Sequence, residues 1–200
     1  MAEEKYGKEG ATVAKEKGLE PLADFLFAQE TDSQPFSKAE NYIDEEKGVT
    51  TVDEALQGAM DILAERVSDN ADIRRRLRNL YAVTGLISSK AAEKDKDSVY
   101  TAYYDYSEAV SKIPDHRILA LDRGEKEAFL KVGVTMDEEK ALRVLESETV
   151  KNPHSPCAPI LKAVCADAYT RLLAPSIARE TRNALTERAA AGAIRNFGLT

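Results

Sequence analysis

Tryptophan is absent from these 200 residues, cysteine and histidine each occur twice, and aromatic residues make up 6% of the chain. Two cysteines do not make a disulfide scaffold, and neither Cys157 nor Cys165 belongs to a close metal pair; both are expected to serve as small hydrophobes in a reducing cytoplasm. No apolar run approaches the roughly 18 residues that cross a bilayer, so no membrane partner is expected. The opening MAEEKYGKEG lacks the apolar stretch of a secretory signal. Basic excess is missing as well. With 28 Lys+Arg against 35 Asp+Glu the net charge is −7, and phosphate affinity needs clustered cations, which excludes this chain as a principal nucleic-acid binder.

What is present is helix-forming material. High Ala, Glu, Arg and Leu predict a mainly α fold, a multi-helix bundle with a long C-terminal helical spine and at most one small β element near residues 127–134. Residues 1–17, charged and glycine-punctuated, read as a loosely ordered arm, and 18–200 as a single helical module. Pro21 opens a short helix carrying Leu22, Phe25 and Leu26, and a second is expected from Pro35 to Ile43. Thr51-Val52-Asp53-Glu54 has the form of a capping box, in which Thr51 and Glu54 satisfy orphaned backbone N–H groups. The helix after it carries Ala55, Leu56, Ala59, Leu63 and Val67 on one stripe. Ser68 or Asp69 restarts a helix carrying Ile73, Leu77 and Leu80, and the two complete the part 18–84 as a hairpin.

Residues 85–156 read as a connector. Tyrosines crowd at 100, 103, 104 and 106; Asp115 caps an element that buries Ile118, Leu119 and Leu121 and breaks at Gly124; Phe129 to Val134 suggest the strand. A helix with Ala141, Leu142 and Leu145 follows Asp137. Residues 157–200 form the longest helical tract, Cys157 to Phe197, with Pro175 ending, restarting or kinking it because its ring clashes with the preceding turn.

Chemistry is sparse. His116 and His154 lack partners at metal-ligand spacing. Asp115, His116, Ser107 and Ser111 are near in sequence without a nucleophile motif, and the Arg-Gly-Glu-Lys around Gly124 is no phosphate loop. No catalytic residue, metal or cofactor is therefore expected, and the chain is not expected to be an enzyme. Were it one, His116, Arg117 and Glu125 would have to converge in a pocket. Five arginines and two glutamates give residues 171–200 a local balance of +3, leaving −10 on the rest. Arg74, Arg75 and Arg78 form a second basic cluster. Such helical arginines ordinarily pair with acids on neighbouring helices; Arg179, Arg182 and Arg188 are the candidates for direct nucleic-acid contact.

Five separated motifs then carry a resemblance. ATVAKEKGLEPLA (11–23), ALQGAMDILAE (55–65), IPDHRILALDRGEKE (113–127), DAYTRLLAPSI (167–177) and ETRNALTERA (180–189) resemble, in order and spacing, the Tex family of bacterial transcription accessory proteins. The resemblance runs from about residue 11 to residue 197. It implies a helical section of a longer protein, without the ribonuclease-H-like and OB-fold RNA-binding domains of that family, and nucleic-acid (RNA) binding mainly through those absent domains. It also implies RNA polymerase or ribosome-associated factors as partners and a cytoplasmic setting. Relatives carry a basic stretch where this chain has Glu3, Glu4 and Glu9, and many carry Ser at the place of Asp115. The competing expectation is a helical protein–protein adapter that contacts the transcription machinery.

Overall fold

The computed structural model describes residues 2–94 and 96–196, so the Phe197 end expected for the last helix lies outside the described residues. The fold is mainly α with one small antiparallel sheet. Where one module was expected over 18–200, the chain divides into two compact units. The first takes residues up to Arg75 together with Glu139–Pro175; the second takes Arg76–Glu138 together with the residues from Ser176 on.

In the first unit α4 (Val52–Asp69) is the central helix, touched by α1 (Ala2–Glu16), α2 (Glu20–Ala28), α3 (Pro35–Glu40) and α8 (Ala158–Asp167). The capping box forms: Thr51 Oγ1 accepts from the Glu54 N–H at 3.1 Å, while Glu54 Oε2 reaches back to the N–H and hydroxyl of Thr50. The backbone and side-chain hydrogen bonds of Thr50 hold the Glu54 carboxyl below its ordinary pKa. The predicted stripe is buried, and Ile62, Ala64 and Ser68 extend it. Each fully buried Leu or Ile there contributes about 1.5–3 kcal/mol. The loosely ordered arm expected over 1–17 is instead the helix α1. Ala11 and Ala14, three residues apart, are buried, and Lys8 pairs with Asp69 of α4 at 2.8 Å; such packing stabilises a charged helix that would be marginal alone. α5 (Ala71–Thr84) is started by Asn70 rather than by Ser68 or Asp69: Asn70 Oδ1 accepts from the Ile73 N–H at 2.9 Å. Its residues from Arg76 on belong to the second unit, so the hairpin expected over 51–83 is not one compact piece.

The loop after α2 is fastened to the loop between α7 (Glu138–Thr149) and α8 by one buried side chain. Gln29 Nε2 donates to the carbonyls of Phe27 and Thr149, and its Oε1 accepts from the backbone N–H groups of Lys151 and Asn152. Ser155 Oγ adds a bond to the Glu30 carbonyl at 2.9 Å. Every polar atom of the Gln29 amide is satisfied in a site with 4% exposure, as burial demands.

In the second unit the connector expected over 85–156 contains two strands besides the one foreseen near 127–134. β1 (Leu86–Ala91) lies between β2 (Asp105–Ala109) and β3 (Leu130–Thr135), antiparallel to both. Ile87, Ser89, Leu130 and Val134 are buried on one face; Lys90, Ser107, Lys131 and Gly133 are exposed on the other. The strand expected at 127–134 is β3, which starts three residues later.

Helix α6 (Asp115–Lys126) packs on β3 and runs through Gly124 rather than breaking there. A Cβ at 124 would sit 2.4 Å from Leu130 Cδ1 and 3.1 Å from Tyr100 Cδ1, so this glycine marks close packing rather than a stop. Asp115 is the first helical residue, not a side-chain cap. The true stop is Ala128, at φ +63°, where Phe129 N–H bonds the Gly124 carbonyl and Ala128 N–H bonds that of Glu125. This is a Schellman ending with alanine in the left-handed position that favours glycine. Ala128→Gly is expected to raise stability by about 0.5–1 kcal/mol, read from the urea midpoint at unchanged slope.

Before Pro175 the chain winds as a π-helix over Ala168–Leu173, and α9 (Ala174–Asn196) continues from it. The Ala174 N–H reaches the Tyr169 carbonyl, five residues back. The wider turn makes room for a proline ring that has no N–H to give and would otherwise strike the carbonyl four residues earlier.

Candidate functional site

The three candidate arginines all lie on α9, whose buried side carries Ile177, Leu185 and Ala189. Arg182 Nη2 donates to Asp122 at 2.6 Å and to Glu125 at 3.1 Å, both on α6, and Thr186 Oγ1 donates to the other Asp122 oxygen at 2.7 Å. The side chain is 15% exposed. Burial opposes its charge, but the hydrogen bonds it donates to Asp122 and Glu125 outweigh that and hold its pKa above the ordinary guanidinium value. Arg188 Nε donates to Asp115 at 3.0 Å and its Nη2 to the Ile113 carbonyl at 2.6 Å. At Gly192 an added Cβ would lie 2.3 Å from Asp115 Oδ2, so the missing side chain lets that carboxylate rest on α9. Contacts run from 182 against 122 and 125 to 192 against 115, which sets α9 antiparallel to α6.

Arg179 differs from the other two. It is exposed, has no ion pair among the described residues, and stands with Asn183 on a groove of about 470 Å³. Val132, Gly133 and Val134 of β3 form the facing wall, and Arg182 and Asp122 lie within it. A second, more apolar groove of about 430 Å³ runs between Ala82, Val110, Ala184 and Leu185. The other basic cluster is likewise engaged: Arg74 Nε donates to the Ser68 carbonyl, Arg75 pairs with Asp72, and Arg78 Nε donates to Glu180 of α9 at 2.6 Å. That last bond raises the Arg78 pKa above its usual value.

The residues named for a catalytic reading have separate partners. Arg117 donates to Glu108 at 3.1 Å and lies over the Tyr106 ring; Glu125 serves Arg182; His116 is exposed. Burial raises the Tyr106 phenol pKa, and the hydrogen bond from Tyr106 holds the Glu108 carboxyl low; the Arg117–Glu108 ion pair and the guanidinium over the Tyr106 ring tie β2 to α6. Asp115 is committed to Arg188. His154 is exposed in the loop before α8. Cys157 and Cys165 are buried free thiols, and burial pushes Cys165 up to about 11. Among the described residues no group of three His, Cys, Asp or Glu side chains could hold a metal, and no helix is long and apolar enough to cross a membrane.

The acids that receive the arginines escaped the sequence reading, although Asp115, Asp122 and Glu125 recur at the spacing of one helix face. That periodic acid row, set against Arg182 and Arg188 at a comparable spacing, is the signal that could have found the pairing.

Comparison with known proteins agrees with the helical motifs. The chain is 42% identical over 193 residues to the uncharacterized protein YdcI of Bacillus subtilis, an alignment covering 95% of this chain and 27% of that protein. It is 39% identical over 149 residues to protein tex of Bordetella pertussis, covering 74% of this chain and 18% of that one. The human S1 RNA-binding domain-containing protein 1 is 28% identical over 169 residues, 76% of this chain and 17% of its own length. The chain thus spans about a quarter or less of the length of these relatives. Residues 30–197 match the family described as Tex central region-like. With that match over most of its length, on the helices and motifs described above, the chain belongs to the Tex central region-like family.

Proposed function

We propose that the chain is the helical supporting section of a Tex-like transcription accessory factor, with no catalytic step of its own, and that it holds in place parts of a longer protein that grip RNA. The observation that carries this reading is the state of the basic C-terminal segment. Arg182 and Arg188 are committed to Asp122, Glu125 and Asp115, so the local +3 stabilises the fold instead of forming a phosphate-binding patch. Arg179 is the one of the three candidates left for direct contact. Names among the relatives support the nucleic-acid side: one is a transcriptional accessory protein and another an S1 RNA-binding domain-containing protein. A cytoplasmic setting and partners such as RNA polymerase or ribosome-associated factors belong to the same reading; two buried, unpaired cysteines suit a reducing compartment.

The test is a titration of a labelled single-stranded RNA at several salt concentrations. The expected result is weak binding whose salt dependence corresponds to about one phosphate contact, abolished by Arg179→Ala. Tight binding with a slope of several phosphates would show this section to be a principal binder and overturn the proposal.

A further inference from the structure

β3 is an edge strand, and the alternation of the antiparallel ladder identifies its unused groups. Ala92 N–H bonds the Phe129 carbonyl, and Ala91 N–H bonds that of Tyr104 on the opposite side. With the register Ser88↔Gly133 and Lys90↔Lys131, residues 129, 131, 133 and 135 therefore face β1. The backbone N–H and C=O groups of Val132 and Val134 face away from it. Among the described residues no strand covers them. They open on the groove bounded by Arg179 and Asn183 of α9.

We propose that this edge takes an extended, acidic peptide segment of another protein as a fourth strand. Alternating donors and acceptors along an edge are complementary to one ligand class, an extended main chain, and side chains of the added strand would alternate between the groove and the open sheet face. The open face sets the chemistry. Asp105, Lys90 and Lys131 stand side by side across β2, β1 and β3. Lys90 has an acid on one side and a like charge on the other, and Lys131 has no acid opposite it on its outer side. An acidic residue placed there completes the row, since directly opposed unlike charges attract and like charges repel. Two residues on, Gly133 offers a Cβ direction with nothing within 4 Å, a bare patch that a large aromatic side chain of the incoming strand would cover. The recognised pattern is an acidic residue two positions from an aromatic one. A second copy of this chain is the poorer occupant, because its own edge strand, Leu130–Thr135, carries no acid to set against Lys131. The inference rests on the sheet alone and stands or falls separately from the RNA reading.

The test uses fluorescein-labelled octapeptides, Thr-Val-Asp-Val-Tyr-Val-Thr-Val and its counterpart with Lys in place of Asp, followed by anisotropy against the full chain. Saturable binding of the Asp peptide, about threefold tighter than the Lys peptide, is expected from one cross-strand charge pair. Lys131→Glu should invert the order. Val132→Pro removes an outward N–H without touching the bonds to β1 and should weaken binding about tenfold at unchanged circular dichroism; if that variant does not fold, the inversion by Lys131→Glu still decides. No saturable binding, an order unaffected by Lys131→Glu, peptide displaced by oligouridylate from the same edge, or a dimer in sedimentation that closes the edge to peptide would each overturn the proposal.

Discussion

Gln29→Ala is expected to lower the unfolding free energy by about 3–5 kcal/mol, among the largest single effects in this chain. The truncation deletes an amide that makes four hydrogen bonds and leaves the Lys151 and Asn152 N–H groups and the Thr149 carbonyl without their partner in a closed site. Each such orphan costs about 1–3 kcal/mol. Two controls separate the contributions. Gln29 also sits at φ +54°, so Gln29→Gly loses the same bonds but is relieved of the left-handed strain and should be about 1 kcal/mol less damaging than the alanine variant. Gln29→Glu keeps the acceptor for Lys151 and Asn152, cannot donate to Thr149, and buries a charge. Since the chain has no tryptophan, urea unfolding is followed by circular dichroism, with amide exchange at Lys151 and Asn152 as the local readout. A loss below about 1 kcal/mol, with those amides still protected, would show that the two loops are held without the Gln29 amide.

The second large effect is at Arg182. Arg182→Ala is expected to cost about 2 kcal/mol, because removing one member of a mostly buried ion pair leaves Asp122 and Glu125 facing each other uncompensated. Arg182→Lys keeps the charge but loses the fork that reaches both carboxylates, and should recover about half of the loss. Arg143, 72% exposed and 3.9 Å from Glu139 on its own helix, is the contrasting case: Arg143→Ala should change stability by less than about 0.5 kcal/mol. A double-mutant cycle with Asp122→Asn measures the coupling, and a value near zero would refute the pairing. The cycle also bears on RNA work. A fall in RNA affinity for Arg182→Ala counts as a lost contact only where the variant is fully folded at the assay temperature.

The parts of the fold written in local patterns were readable in advance. Thr51 and Glu54 satisfy each other's neighbourhood within one turn, and the stripe from Ala55 to Val67 follows the period of the helix it forms. The sheet was not readable, because what makes Ser88, Ser89 and Lys90 a strand is pairing with residues far along the chain, and an open sheet face leaves polar residues with no local signature. Gly124 misled for a related reason: its meaning lies in Leu130 and Tyr100 across the unit, while the helix actually turns at Ala128, which carries no stop signal in its identity. At the candidate site the arginines were visible and their engagement was not. Charge spacing on α9 is compatible with a phosphate patch or with an internal clamp, and the acids on α6 decide for the clamp at Arg182 and Arg188.

Each of the two compact units is assembled from two stretches of chain, with the second unit's first stretch, Arg76–Glu138, lying between the two stretches of the first. During synthesis, therefore, α4 waits for α8 until the whole intervening stretch has left the ribosome, and α6 waits in turn for α9, so neither unit closes on a contiguous stretch of chain. For the same reason a truncation at any point between 76 and 138 damages both units at once, and the halves are not to be had by cutting.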